Sequence, residues 1–217
     1  MRVKACGIKT EKELEAAVAA GVDAVGFLVG QVHASGDFIL ASTAARLVRA
    51  LPPYMTPVLV THLTEPSAVW ELVEQTSILT IQLHGGNTVE QVARLRDRLG
   101  PAGKLVYAVH VIDTEVVPAP EAYYPFVDAI LLDSMDRSAG KVGGTGITHN
   151  WNVSAAVVAS APLPVILAGG LNPANVAGAI RQVRPFAVDA NSGLRGFDGM
   201  LDCQLCAAFV RNAKQAL

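Results

Sequence analysis

The 217-residue sequence predicts a single-domain (β/α)8 barrel, a TIM barrel of the α/β class occupying residues 1–217. Three observations predict it. Short runs of β-branched and aliphatic residues alternate with amphipathic stretches from one end of the chain to the other, the pattern of repeated βα units around a parallel sheet. Eight such runs are present, enough to close the sheet on itself. Each run is nearly continuously apolar, as a strand buried on both faces must be, and its polar residues collect at the C-terminal end. A division into two domains would leave each half near the size at which core burial becomes marginal.

The strands are expected at residues 2–6, 24–29, 56–61, 79–83, 104–109, 129–133, 165–168 and 187–189. Helix starts are marked by polar caps: Thr10 ahead of Glu11 and Glu13, Thr64 ahead of Glu65, Asn87 ahead of Glu90, and Asn172 followed by Pro173 as a first helical residue. Gly21 and Gly100 stand where a helix must release the chain into a left-handed turn. Pro118, Pro120 and Pro125 crowd the fifth connection, whose helix should be short or irregular because proline lacks the amide a helix needs.

Composition narrows the function. Hydrophobic residues make up 51% of the chain and charged ones 17%, yet no apolar run approaches the roughly 18 residues a membrane span requires. The net charge is -2 and the cations are scattered, so there is no basic field for nucleic acid. Residues 1–4 lead straight into an apolar strand with no signal segment, which points to a cytoplasmic protein. Three cysteines argue against a disulfide framework, and Cys203 and Cys206 read as small residues of a helix rather than as a metal or redox pair. A small molecule is the expected partner; the sequence leaves the oligomeric state open.

In a barrel of this kind chemistry sits on the C-terminal rim. The sequence places Cys6, Gln31, His62, His84, His110, Asp133, Gly169, Gly170, Asn191 and Ser192 there. The glycine-rich turns Gly143–Thr145, with Gly146, then Gly169 and Gly170, then Ser192 and Gly193, let backbone amides approach an anion, and the last two follow the strands where barrels commonly hold phosphate. Residues 134–142 read equally as a lid or as a solvated connection, and His149 and Trp151 as anchors of the turn that precedes them.

The segments VKACGI (3–8), IQLHG (81–85), ILLDS (130–134), GGTG (143–146), ILAGGLNPANV (166–176) and VDANSG (188–193) resemble, in order and spacing, the motifs of the phosphoribosylanthranilate isomerase family. The resemblance spans almost the whole chain. It implies an Amadori rearrangement of N-(5-phosphoribosyl)anthranilate in tryptophan biosynthesis, without cofactor. The ribose ring opens to a Schiff base, a proton leaves C2, and the enolamine becomes a ketose. By motif, Asp133 protonates the ring oxygen and Cys6 takes the C2 proton, while His84 contacts substrate. An acid must arrive protonated, and a carboxyl at the mouth of an apolar barrel has its charged form disfavoured, so Asp133 is expected to hold a proton near neutrality. Cys6 needs the opposite help, since a thiol starts near pKa ~8.5 and only its thiolate accepts a proton. Lys4, two residues back on the strand, projects to the same side.

Two features depart from the family. Where it carries a serine-proline-arginine stretch whose arginine meets the anthranilate carboxylate, this chain has Asp37, which is expected to repel that carboxylate, to weaken the anthranilate reaction, and to be improved by arginine. Arg195 or a rim histidine is then left to bind the carboxylate. His33, His62, His84 and His110 follow strands two to five, and such an arc is able to ligate a divalent metal with Asp37 or Asp133. Two alternatives stay open: a paralogous, metal-assisted enzyme on another phosphorylated sugar or aminosugar, and a non-catalytic barrel that binds a phosphorylated ligand.

Overall fold

The structure, a computed structural model, describes residues 1–32, 36–136, 141–142 and 148–216. Ten strands occur in chain order: β1 Arg2–Ala5, β2 Ala24–Leu28, β3 Thr56–Thr61, β4 Thr80–Leu83, β5 Lys104–Ile112, β6 Glu115–Val117, β7 Ala129–Asp136, β8 Lys141–Val142, β9 Val165–Leu167 and β10 Ala187–Ala190. Eight of them pair in parallel in the order β1–β2–β3–β4–β5–β7–β9–β10, and β10 returns to β1 with Lys4 opposite Asp189, closing the barrel. The other two, β6 and β8, are short antiparallel ribbons that lengthen β5 and β7 beyond the rim. Their two to three residues carry no apolar run for a sequence reading to find.

Among the described residues seven helices cover the outside: α1 Glu11–Ala20, α2 Ala41–Val48, α3 Pro66–Thr76, α4 Val89–Leu99, α5 Trp151–Ser160, α6 Val176–Val183 and α7 Cys203–Lys214. The fifth connection has only two 3₁₀ turns, Pro120–Ala122 and Tyr124–Phe126, as its prolines foretold. Thr10 and Glu13 form a reciprocal capping box on α1, and Gly21 ends it at φ 75°. Three starts lie elsewhere than the sequence suggested. Glu65, not Thr64, precedes α3, because Pro66 takes the first helical position. Thr88 with Gln91 caps α4, while Asn87 is buried and donates to the carbonyls of Leu63 and Thr64. Asn172 caps a turn through the amides of Ala174 and Asn175, and α6 begins three residues past Pro173.

Alternation along the strands sorts side chains into two layers. Phe27, Leu59, Ile81, Tyr107, Ile130 and Leu132 point outward and pack with Leu14, Leu47, Val73, Leu95, Ile180 and Phe209 of the helices. Each such fully buried side chain contributes about 1.5–3 kcal/mol. The intervening positions fill the barrel with smaller groups: Cys6, Leu28, Val58 and Val60 on one side, Val106, Ala108, Leu131 and Ala168 on the other. Above and among these small residues the interior turns polar, and there the site is built.

Candidate active site

Four rim residues follow from strand register. His62 lies just past β3 and His84 just past β4, while His110 and Asp133 face each other as register partners on β5 and β7. All four are buried. The His62 and His84 rings are 5.5 Å apart between centroids and those of His84 and His110 5.4 Å, so the arc expected from the sequence exists. Among the described residues, however, no three His, Cys, Asp or Glu side chains converge as a metal would require, and His33 lies outside the described residues.

Both oxygens of Asp133 are engaged: Oδ2 is 3.3 Å from His84 Nε2, and Oδ1 accepts from the Ser134 amide at 2.7 Å. Gln82 Nε2 sits 3.2 Å from His84 Nδ1, so in this orientation Nδ1 accepts and Nε2 carries the ring hydrogen, beside the carboxylate. This corrects the expectation for Asp133. Burial does push its carboxyl up, but the hydrogen bond and charge of His84, the charge of His110 and the Ser134 amide together hold it below the ordinary carboxylate value. Burial, with His84 as a second cause, lowers His110 to about 4, against the pull of Asp133.

Cys6 occupies the opposite arc, next to the barrel's closing seam. Lys4 Nζ, on the same face of β1, makes a 2.7 Å ion pair with Asp189 Oδ2 of β10, and both side chains are buried. The thiol lies beside the same ammonium, both of them packed over Gly26 of β2. Gly26 on β2 makes this crowding possible: a Cβ there would stand 2.7 Å from Cys6 Sγ and 3.1 Å from Lys4 Nζ. Burial pushes the Cys6 thiol up to about 11, with the Lys4 ammonium pulling the other way. The Lys4 ammonium is itself held against the cost of burial by Asp189 and Cys6.

A second network clamps the end of β1. Arg195, just after β10, donates to the Cys6 and Gly7 carbonyls and to Asn191 Oδ1, and pairs with the buried Glu13 of α1. A side chain at Gly7, whose φ is +78°, would strike the Arg195 guanidinium at 2.4 Å. Asp37 joins this network through Asn191 Nδ2 at 2.9 Å, Lys9 Nζ at 3.3 Å and Arg195 Nη2 at 3.5 Å. Asp37, expected to repel the substrate carboxylate, thus has two cations beside it, Lys9 and Arg195. Arg195, one of the residues left to bind the anthranilate carboxylate, has its guanidinium turned inward and only 10% of its side chain exposed.

Of the expected phosphate turns, Gly169 and Gly170 adopt φ of +79° and +64°, and a Cβ on Gly169 would lie 2.6 Å from the Ser134 amide. Ser192–Leu194 forms a 3₁₀ turn in which Gly193 fits under the Leu171 carbonyl, which a Cβ would approach to 2.0 Å. Close packing thus demands glycine at 193 independently of any ligand. Gly143, Gly144, Thr145 and Gly146 lie outside the described residues. Of the segment 134–142, the two ends pair as a ribbon, Met135 with Val142 and Asp136 with Lys141. His149 ties to Ser154 of α5 at 2.6 Å, Trp151 opens that helix, and Cys203 and Cys206 lie on α7 with one exposed and the other buried.

Lys4, Gly26, Gln82, Asp189, Glu13 and Asn191 were not assigned roles from sequence. A signal existed for three of them: Lys4, Gln82 and Asp189 are polar residues inside apolar strands, each two positions before a rim residue and so on its face.

No helix among the described residues is long and apolar enough to cross a membrane. The profile of the family described as N-(5'phosphoribosyl)anthranilate (PRA) isomerase matches residues 3–212. The N-(5'-phosphoribosyl)anthranilate isomerase 2 of Methanosarcina mazei is 42% identical over 214 residues, covering 99% of this chain and 94% of the relative. The Natronomonas pharaonis N-(5'-phosphoribosyl)anthranilate isomerase is 41% identical over 210 residues, 96% of each chain. Among solved structures, phosphoribosyl anthranilate isomerase from Thermotoga maritima superposes with a TM-score of 0.85 at 33% identity, covering 99% of this chain and 98% of the other. A phosphoribosyl anthranilate isomerase in complex with reduced 1-(o-carboxyphenylamino)-1-deoxyribulose 5-phosphate gives a TM-score of 0.82 at 32% identity, with the same coverage.

Proposed function

The chain belongs to the N-(5'-phosphoribosyl)anthranilate isomerase family, and from that premise we propose that Asp133 and Cys6 carry its two proton transfers, with His84 steering the first. The protein is an isomerase of N-(5'-phosphoribosyl)anthranilate in tryptophan biosynthesis. What supports the division of labour is placement: Asp133 with His84 on one arc of the mouth, Cys6 with Lys4 on the other, so that a sugar lying across the opening meets one proton donor and one acceptor.

Ring opening moves a proton from Asp133 to the ribose ring oxygen as the C1–O bond breaks and the anthranilate nitrogen forms a C=N bond. The surroundings of Asp133 in the free site favour its carboxylate form, and substrate binding is what tips it toward the acid. The phosphate and carboxylate of the substrate bring negative charge into a buried mouth, which raises the proton affinity of a nearby carboxyl. Cys6 then removes the C2 proton, made acidic by the adjacent imine, and the resulting enolamine becomes the ketose on return of a proton to C1. Hydrogen moves between neighbouring carbons, so the reaction calls for no cofactor.

Gly169, Gly170, Ser192 and Gly193 hold the phosphate through backbone amides. The paralogue reading loses its ground, since Asp37 is neutralised by Lys9, Asn191 and Arg195 rather than aimed at the substrate. The test is turnover of N-(5'-phosphoribosyl)anthranilate, followed by loss of its fluorescence. Cys6→Ser and Asp133→Asn should each lower the rate by about a hundredfold or more with the fold intact. Near-normal turnover in either variant removes that residue from the mechanism, and no turnover by the unmodified protein removes the substrate.

A further inference from the structure

Lys4 and Asp189 form a buried ion pair inside the barrel that neither proton transfer uses. A buried pair of this kind is seldom the most stable way to fill a core, because desolvating two charges offsets most of their attraction. Its position is therefore informative. Lys4 and Cys6 share one face of β1, and the missing side chain at Gly26 lets Nζ and Sγ both settle over the β2 backbone. Asp189 reaches Lys4 from β10 through Oδ2, and its Oδ1 is buried with no hydrogen-bond partner.

We propose that Lys4 is a positioning residue that fixes the aim and proton affinity of the Cys6 thiol, with Asp189 as the counterweight that keeps Lys4 from ionising it outright. The proposal rests on Cys6 being the proton acceptor. An ammonium beside a thiol stabilises the thiolate, whereas a carboxylate beside it stabilises the thiol. The two charges act on Sγ with opposite sign, and Lys4 acts the more strongly. The remaining surroundings of Cys6 are accounted for. Gly26 and Leu28 face it from β2 without charge, Arg195 binds its carbonyl oxygen rather than its sulfur, and Asp133 and His84 act across the mouth on Asp189. The arrangement leaves the resting enzyme with an unreactive thiol whose ionisation is poised by one neighbour and restrained by another.

The experiment is the pH dependence of Cys6 alkylation by iodoacetamide in the full chain, resolved from Cys203 and Cys206 by peptide mass analysis. Lys4→Met should move the midpoint to higher pH and slow alkylation at fixed pH about tenfold or more, since one pKa unit is a tenfold change in thiolate. Asp189→Asn should move it to lower pH and speed alkylation. The double variant should fall between the unmodified protein and Lys4→Met. A purely structural pair would open the barrel in both single variants, so both would react faster. That result, or no shift in either, overturns the proposal. If Lys4→Met fails to fold, the direction of the Asp189→Asn shift still decides. Alkylation does not depend on turnover, so a Cys6→Ser variant that keeps its activity would sink the acceptor role while leaving this titration order to be judged separately.

Discussion

His84 Nε2 stands 3.3 Å from Asp133 Oδ2 in a buried mouth, and Gln82 holds the far side of the imidazole ring. Burial alone would push the carboxyl up, and His84, with His110 and the Ser134 amide, more than offsets it.

Replacing His84 with asparagine should therefore raise the proton affinity of Asp133. A general acid works when protonated, so its activity falls as pH rises through its pKa, and a raised pKa moves that alkaline limb upward. The kcat/KM profile of His84→Asn should show the limb displaced by about one pH unit or more, whatever happens to its height. A limb that stays in place would detach His84 from the acid.

His110 supplies a stability prediction with a definite sign. Its folded-state value lies near 4, below the ordinary 6.5, chiefly because it is buried. Between those values the unfolded chain binds a proton that the folded chain refuses, so stability contributed by the neutral ring is present above about pH 6.5 and drains away as pH falls toward 4. The expected loss is about 1–3 kcal/mol. In urea titrations at pH 7.5 and 4.5, His110→Gln should lose measurably less than the unmodified protein. An equal loss in both would assign the acid sensitivity elsewhere.

Arginine at position 37 should harm the enzyme rather than improve it. Asp37 lies between Lys9 and Arg195, and a third cation there would push Arg195 away from the Cys6 carbonyl. Losing these charge-assisted bonds costs about 1.5–3 kcal/mol, which at about 2–4 °C per kcal/mol should lower the melting temperature by several degrees. The kcat/KM should fall about tenfold or more, because the strand end bearing Cys6 loses its clamp. A gain in kcat/KM would restore the view that the site lacks a cation.

The barrel was legible because each strand is short, apolar and followed by a helix with its own period, and Asp133 and His84 were legible because they end apolar runs. What the linear sequence hides is anything made across the seam. Lys4 and Asp189 are 185 residues apart and meet only because the eighth barrel strand closes on the first. The low proton affinity of Asp133 was misjudged for the same reason: burial can be inferred from one strand, whereas the His84 hydrogen bond requires β4 and β7 in register with β5 between them. Asp37 read as a repulsive charge because its partners come from two distant segments, Lys9 after β1 and Asn191 with Arg195 after β10. Helix starts were missed where the favoured capping residue had a competing task, as with Asn87, whose amide bridges two carbonyls of the preceding loop.

The Arg195 clamp has a bearing on how the protein is made. The guanidinium that grips the carbonyls of Cys6 and Gly7 is made 189 and 188 residues after them. A nascent chain therefore carries the Cys6-bearing strand without this clamp until residue 195 has been made, and the strand end is fixed only when the last βα unit docks. A chain that stops before residue 195 should therefore show no isomerase turnover, however many strands it has already assembled, because the end of β1 lacks its clamp.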